Sequence, residues 1–136
     1  MPGTGCGLRQ MRVMSAIMGS MSIPVALAEL RDEIARRGDA AFVVTSGDAG
    51  PHVVSVRIAW DGDNLVGGAG NRTAANVGER PAVTLLWPSS FDDYSLLVDG
   101  TATMVGEVLR ITPEKAVLHR SAKAAGDGPS CVKVVD

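Results

Sequence analysis

The residues with the most chemical content lie between Gly67 and Asn76. The run Gly67-Gly68-Ala69-Gly70 leads into Asn71-Arg72-Thr73-Ala74-Ala75-Asn76. Binding a negatively charged group takes hydrogen-bond donors held in a concave arrangement. The start of a short helix offers free N–H groups and the positive end of a dipole. Gly68 and Gly70, lacking a Cβ, let the backbone come close to such a group. Arg72 can add a two-pronged guanidinium contact, and the Thr73 hydroxyl one further bond. Asn76 either joins the site or hydrogen-bonds locally. The segment thus reads as an anion site, with a plain glycine loop and a solvated Arg72 as the alternative.

A second candidate pair lies upstream. In the alternating stretch from Pro51 to Trp60, Ser55 and Arg57 share one face, opposite Val54, Val56 and Ile58. These two polar side chains either face a ligand or form the solvated face of an antiparallel sheet. No Ser-His-Asp or Cys-His arrangement stands out as catalytic, and Asp92 and Asp93 are neighbouring loop carboxylates rather than a spaced acid–base pair. His52 and His119 are far apart and lack an HExxH context. Cys6 and Cys131 form no CxxC, so no metal site is expected and the thiols read as reduced. Trp60, Trp87 and Cys131 read as core residues.

The elements that must position these groups follow from periodicity and turn residues. A helix is expected from Pro24 to Arg37, with Ser22 as N-cap, an apolar stripe of Leu27, Leu30 and Ile34, and a stop at Gly38. Strands follow at Ala41–Ser46, Pro51–Trp60 and Leu65–Ala69, joined by tight turns at Gly47–Gly50 and Asp61–Asn64 into an antiparallel meander. Asn71–Glu79 reads as a short helix ended by Pro81. Strands are expected at Ala82–Trp87 and Tyr94–Glu107, with a bulge or sharp bend at Gly100. Thr112-Pro113-Glu114 reads as the start of a last helix reaching Arg120, whose end would hold His119. Ser130–Val135 is expected to be the closing strand. The sum is a mainly β fold: a six-stranded antiparallel split β-barrel with two to three short flanking helices.

Bulk properties narrow the function classes. The chain of 136 residues suits one domain, expected over 21–136, with 1–20 as a disordered extension; five of the six methionines fall in the first 21 residues. The formal charge of −2 and the lack of a basic stripe argue against nucleic acid as a partner. The longest uncharged run, Val13–Ala28, is too short and too broken by Gly19 and Pro24 to span a bilayer. A cytoplasmic protein with no membrane partner is expected.

The run Gly50–Val56, then Trp60-Asp61-Gly62, then Asn71–Trp87, resembles the pyridoxamine 5′-phosphate oxidase-like family, the FMN-binding split barrels that include flavin- and deazaflavin-dependent reductases. The likeness covers roughly Leu27 to Ile111. It implies a homodimer with cofactor sites at the subunit interface. It also implies an isoalloxazine lying across the second and third strands, and a phosphate clamp in the Asn71–Pro81 segment. Many members carry there an Arg-Lys pair, with Asn and Pro at set distances beyond it. Asn76 and Pro81 keep that spacing and Arg72 matches the Arg, but Thr73 stands at the Lys position. All three lysines, Lys115, Lys123 and Lys133, lie downstream.

The cofactor-binding set drawn from the segment and the resemblance together is Ser55, Arg57, Gly68, Gly70, Arg72, Thr73 and Asn76. The implied activity is an oxidoreductase using FMN, or the deazaflavin coenzyme F-420, to pass a hydride to or from a small organic substrate. The catalytic residues are unknown, as expected where the cofactor does the bond chemistry. The rivals are a non-catalytic flavin- or haem-binding module, with His52 or His119 as axial ligand, and a barrel without a cofactor.

Overall fold

A computed structural model describes residues 22–121, 127–128 and 130–131 of the chain. Pro24–Leu118 forms one compact unit. The element order is β1 (Ser22–Val25), α1 (Leu27–Arg37), β2 (Ala40–Gly47), β3 (Gly50–Asp61), β4 (Asn64–Gly68), α2 (Asn71–Glu79), β5 (Ala82–Trp87), β6 (Ser95–Val105), β7 (Val108–His119) and the two-residue strands β8 (Asp127–Gly128) and β9 (Ser130–Cys131). The main sheet runs β1-β7-β4-β3-β2-β5-β6, and β7 also pairs with β6. That last pairing closes a six-strand antiparallel barrel with one extra strand and two helices.

The meander forms as its turns dictate. Gly62, with φ of 63°, turns β3 into β4 so that Asp61 pairs with Asn64. Gly50, with φ of 123°, pairs with Gly47 at the end of the β2–β3 hairpin. Both conformations lie in the left-handed region that glycine occupies without steric cost. The inward residues of facing strands, among them Val43, Leu65, Leu85, Leu96, Val98, Leu109 and Ile111, are fully buried and make the core. Trp87 is buried too, and its indole N–H donates to the Gly38 carbonyl at 3.0 Å. Trp60 is half-buried against the core.

Helix α1 is anchored by Leu30 and Ile34, while Leu27 is exposed. Gly38 stops the helix with its N–H bonded to the Ile34 carbonyl. The Arg37 side chain is only 1% exposed. It donates to the Tyr94 carbonyl at 2.8 Å and to the Asp92 carboxylate at 3.3 Å, and lies over the Phe91 ring. The loop before β6 is therefore tied to α1 through one buried cation.

Three expectations are corrected. The helix expected from Thr112 is a strand: Val108–His119 is β7, turned from β6 at Gly106, whose φ is 63°. Thr112 caps nothing, its hydroxyl instead meeting the Asn64 side chain at 3.0 Å. Inward positions in β7 run Leu109, Ile111, Pro113 and then Ala116, Leu118, so the alternation slips by one residue at Glu114–Lys115. That slip breaks the period-two signal, and a threonine, proline and glutamate in sequence imitate a helix start.

The second correction concerns the first helix. It starts at Leu27 rather than Pro24, and Ser22 is not its cap. Ser22 and Pro24 lie in β1, and the Ser22 hydroxyl sits 3.3 Å from His119 Nδ1 at the end of β7. Third, the barrel's sixth strand is β7, not the expected Ser130–Val135. Of that stretch only Ser130–Cys131 is described, paired with β8. The expected extension at 1–20 lies outside the described residues.

Candidate functional site

A strand pairs fully only where its neighbours are long enough. Strand β3 has 12 residues and β4 only five. Strand β2 pairs with β3 from Gly50 to Arg57, whereas β4 pairs with it only from Ile58 to Asp61. The first half of β3 thus has an edge that β4 does not cover. The Ile58 N–H donates to the Asp39 carbonyl at 2.7 Å, on the β2 side. Backbone groups alternate sides along an antiparallel strand. The N–H and C=O groups of Val53 and Ser55 therefore point away from β2, toward the uncovered edge, whereas the Arg57 carbonyl lies against Gly67 of β4.

Beyond Gly67 the chain leaves β3 and turns into α2. Gly70 occupies the N-cap position, and no side chain caps the helix. The first intrahelical bond runs from the Ala74 N–H to the Gly70 carbonyl at 3.0 Å. The amides of Asn71, Arg72 and Thr73 come before it and have no acceptor within the helix.

These two features meet in one groove of about 490 Å³. Strand β3 lines it with His52 and Val54 to Arg57, and the turn and helix line it with Gly68 and Gly70 to Thr73. Its walls carry two guanidinium groups and an imidazole, and no carboxylate. Its volume falls within the range of small-molecule sites, roughly 300–1,000 Å³. Among the described residues Arg72 makes no ion pair. Arg57 pairs with Asp39 at 3.0 Å, with its side chain 81% exposed.

The structure brings six of the seven expected site residues to this groove: Ser55, Arg57, Gly68, Gly70, Arg72 and Thr73. Asn76 is apart from them. It is buried on the inner side of α2, and its amide N–H donates to the Thr45 hydroxyl at 3.0 Å. Thr73 is itself only 1% exposed. The position where the family pattern carries lysine is thus inside the fold, and the anion end has one guanidinium.

Val54 and Val56 also line the groove and were not singled out from sequence, and His52, named there only as a possible haem ligand, lines it too. Alternation assigned them to the face opposite Ser55 and Arg57. An uncovered edge is reached from both faces, and the mismatch in length between β3 and β4 is the signal that exposes it. A smaller cavity of about 210 Å³, between the start of α1 and Trp60, holds none of the expected site residues. Among the described residues no cluster of His, Cys, Asp and Glu could hold a metal ion, and no helix is long and apolar enough to cross a membrane.

No family model matches the chain. Two uncharacterised proteins, from Mycobacterium bovis and Mycobacterium tuberculosis, are each 42% identical to it over 76 residues, covering 50% of this chain and 52% of theirs. The chain spans about half the length of the curated relatives it matches.

Solved structures share the fold over more of the chain. A Clostridium acetobutylicum protein of the pyridoxinephosphate oxidase family superposes with a TM-score of 0.58 at 14% identity, over 73% of this chain and 93% of that one. A FAD-binding protein from Mycobacterium smegmatis gives 0.55 at 15% identity, over 74% and 98%. The haem storage protein HutZ from Vibrio cholerae gives 0.55 at 14% identity, over 71% and 96%. Identities this low establish the fold alone. The chain has the split-barrel fold that these structures share.

Proposed function

We propose that the groove between β3 and α2 binds a phosphate-bearing flavin, FMN or the deazaflavin coenzyme F-420, and that the protein is an oxidoreductase acting on a small organic substrate as a cytoplasmic homodimer. The observation that carries this reading is the meeting of two binding devices in one cleft. The unpaired amides at the start of α2, with Arg72, suit a phosphate tail. The uncovered edge of β3 offers backbone donors and acceptors in a row, which suits a flat ring system with polar edges. The cationic walls match an anionic ligand in charge.

When bound, a flavin supplies the hydride chemistry. The chain's own residues would grip, orient and screen it. Arg72 and the amides of Asn71 to Thr73 would hold the phosphate. Ser55 and Arg57 would meet the ring edge along β3, with Val54 and Val56 as apolar wall. The fold likeness to a FAD-binding protein adds support.

The dimer reading rests on the outer face of the β2–β3 hairpin. Phe42 pairs opposite Ser55, and Val44 opposite Val53. Phe42 and Val53 are exposed there beside the groove. A second copy covering this patch would also wall the ligand.

A second reading is favoured by His52. It lines the same groove, and a haem storage protein shares the fold. An imidazole there could ligate a haem iron. Parallel titrations with FMN, the deazaflavin and haemin separate the two readings. Quenched flavin fluorescence with saturable binding supports the first, and a shifted Soret band lost in His52→Ala supports the second. A protein that takes up none of the three defeats both.

A further inference from the structure

We propose that Asn76 is a positioning residue, whose bond to Thr45 fixes helix α2 against strand β2 and so sets the aim of the helix amides into the groove. Asn76 and Thr45 are both buried, 31 residues apart in sequence, and joined at 3.0 Å. A buried polar pair is costly unless satisfied, so the bond holds the helix to one register on the sheet rather than allowing it to slide.

The seat for Asn76 is provided by Gly47. A Cβ there would stand 2.7 Å from the Asn76 Oδ1 and 3.2 Å from its Cγ. Gly47 has no positive φ to demand glycine, so the close approach of Asn76 is what excludes a side chain. One turn further along, Arg80 reaches back to Asp48 in the same hairpin turn at 2.6 Å. That exposed pair adds a second point of attachment, weak by itself. Helix α2 is thus pinned to the β2–β3 hairpin by its last turns, while its first residues stay free of side-chain caps and line the groove. The hairpin's other strand, β3, forms the facing lining. The Asn76–Thr45 bond therefore ties together the two segments that make the cleft, without touching its contents.

This inference rests on the proposed ligand site for its consequence but not for its test. Amide hydrogen exchange of the ligand-free protein is compared for wild type, Thr45→Val, Thr45→Ser, Asn76→Ala and Gly47→Ala. Exchange at Ala74 to Val77 is expected to speed up at least tenfold in Thr45→Val, Asn76→Ala and Gly47→Ala, with β5 and β6 still protected. Thr45→Ser, which keeps the hydroxyl, is expected to behave as wild type. Adding Gly47→Ala to Asn76→Ala is expected to change nothing further, because the clash has gone.

FMN titrations of the same proteins are expected to show at least a tenfold loss of affinity in Thr45→Val and a near-normal value in Thr45→Ser. Unchanged exchange in the helix, or uniform loss of protection across the barrel, overturns the positioning role. So does a loosened helix with unchanged FMN affinity. If wild type binds no FMN, the ligand reading fails, and the exchange data still decide whether Asn76 positions the helix.

Discussion

Gly100 of β6 lies directly against the main chain of Thr112 in β7, so closely that a Cβ would overlap the Thr112 carbonyl and press on the Ile111 γ2 methyl. This is the seam where β6 meets β7 and the barrel closes. A bulge or sharp bend at Gly100 was the expectation from sequence. The structure shows there a close approach of two backbones within a continuous strand that pairs with both β5 and β7.

Gly100→Ala is expected to destabilise the protein by about 1–3 kcal/mol, the cost of forcing extra volume into a packed contact. Urea denaturation followed by circular dichroism checks this, with a lower midpoint and an unchanged slope.

Arg37 carries a different part of the fold. Its buried guanidinium serves the Tyr94 carbonyl and the Asp92 carboxylate together. Replacing Arg37 by Met leaves those acceptors without their donor and is expected to cost about 3 kcal/mol. Thermal melts of the variant against wild type measure it.

The legible parts of the sequence were those where local chemistry and fold agree. Asn71–Glu79 emerged as a helix with its observed bounds, because loss of alternation and a following Pro81 leave little else. The turns at Gly50 and Gly62 were equally plain. Strand β7 was not legible, since its alternation slips at Glu114–Lys115 and Thr112-Pro113-Glu114 has the chemistry of a helix start. At the groove, residue types identified Arg72, Ser55 and Arg57. His52 was read only as a possible haem ligand, because its place in the groove depends on where β4 ends, a tertiary fact. Asn76 was grouped with the site by spacing, yet its side chain turns inward to Thr45.

Arg57 and Asp39 offer a test with opposite signs. Both side chains of the pair are largely exposed. Losing the pair is expected to change stability by less than about 1 kcal/mol. Arg57→Ala is expected to weaken FMN binding severalfold, while Asp39→Asn, which frees the guanidinium, is expected to leave it equal or tighter. Fluorescence titration of the two variants at fixed ionic strength reads both effects.

Arg72→Ala is expected to weaken FMN binding by at least about 1 kcal/mol, the scale of one charge-assisted hydrogen bond. Because Arg72 makes no ion pair among the described residues, its melting temperature is expected to match wild type. The same titration, paired with a thermal melt, separates lost grip from lost fold.

The most direct measurement compares FMN with riboflavin, which differs only in lacking the phosphate. If the α2 amides and Arg72 hold that phosphate, wild type binds FMN at least about tenfold more tightly, a gap of about 1.4 kcal/mol, and Arg72→Ala narrows the gap. Equal affinity for the two flavins, or no binding of either, contradicts the account.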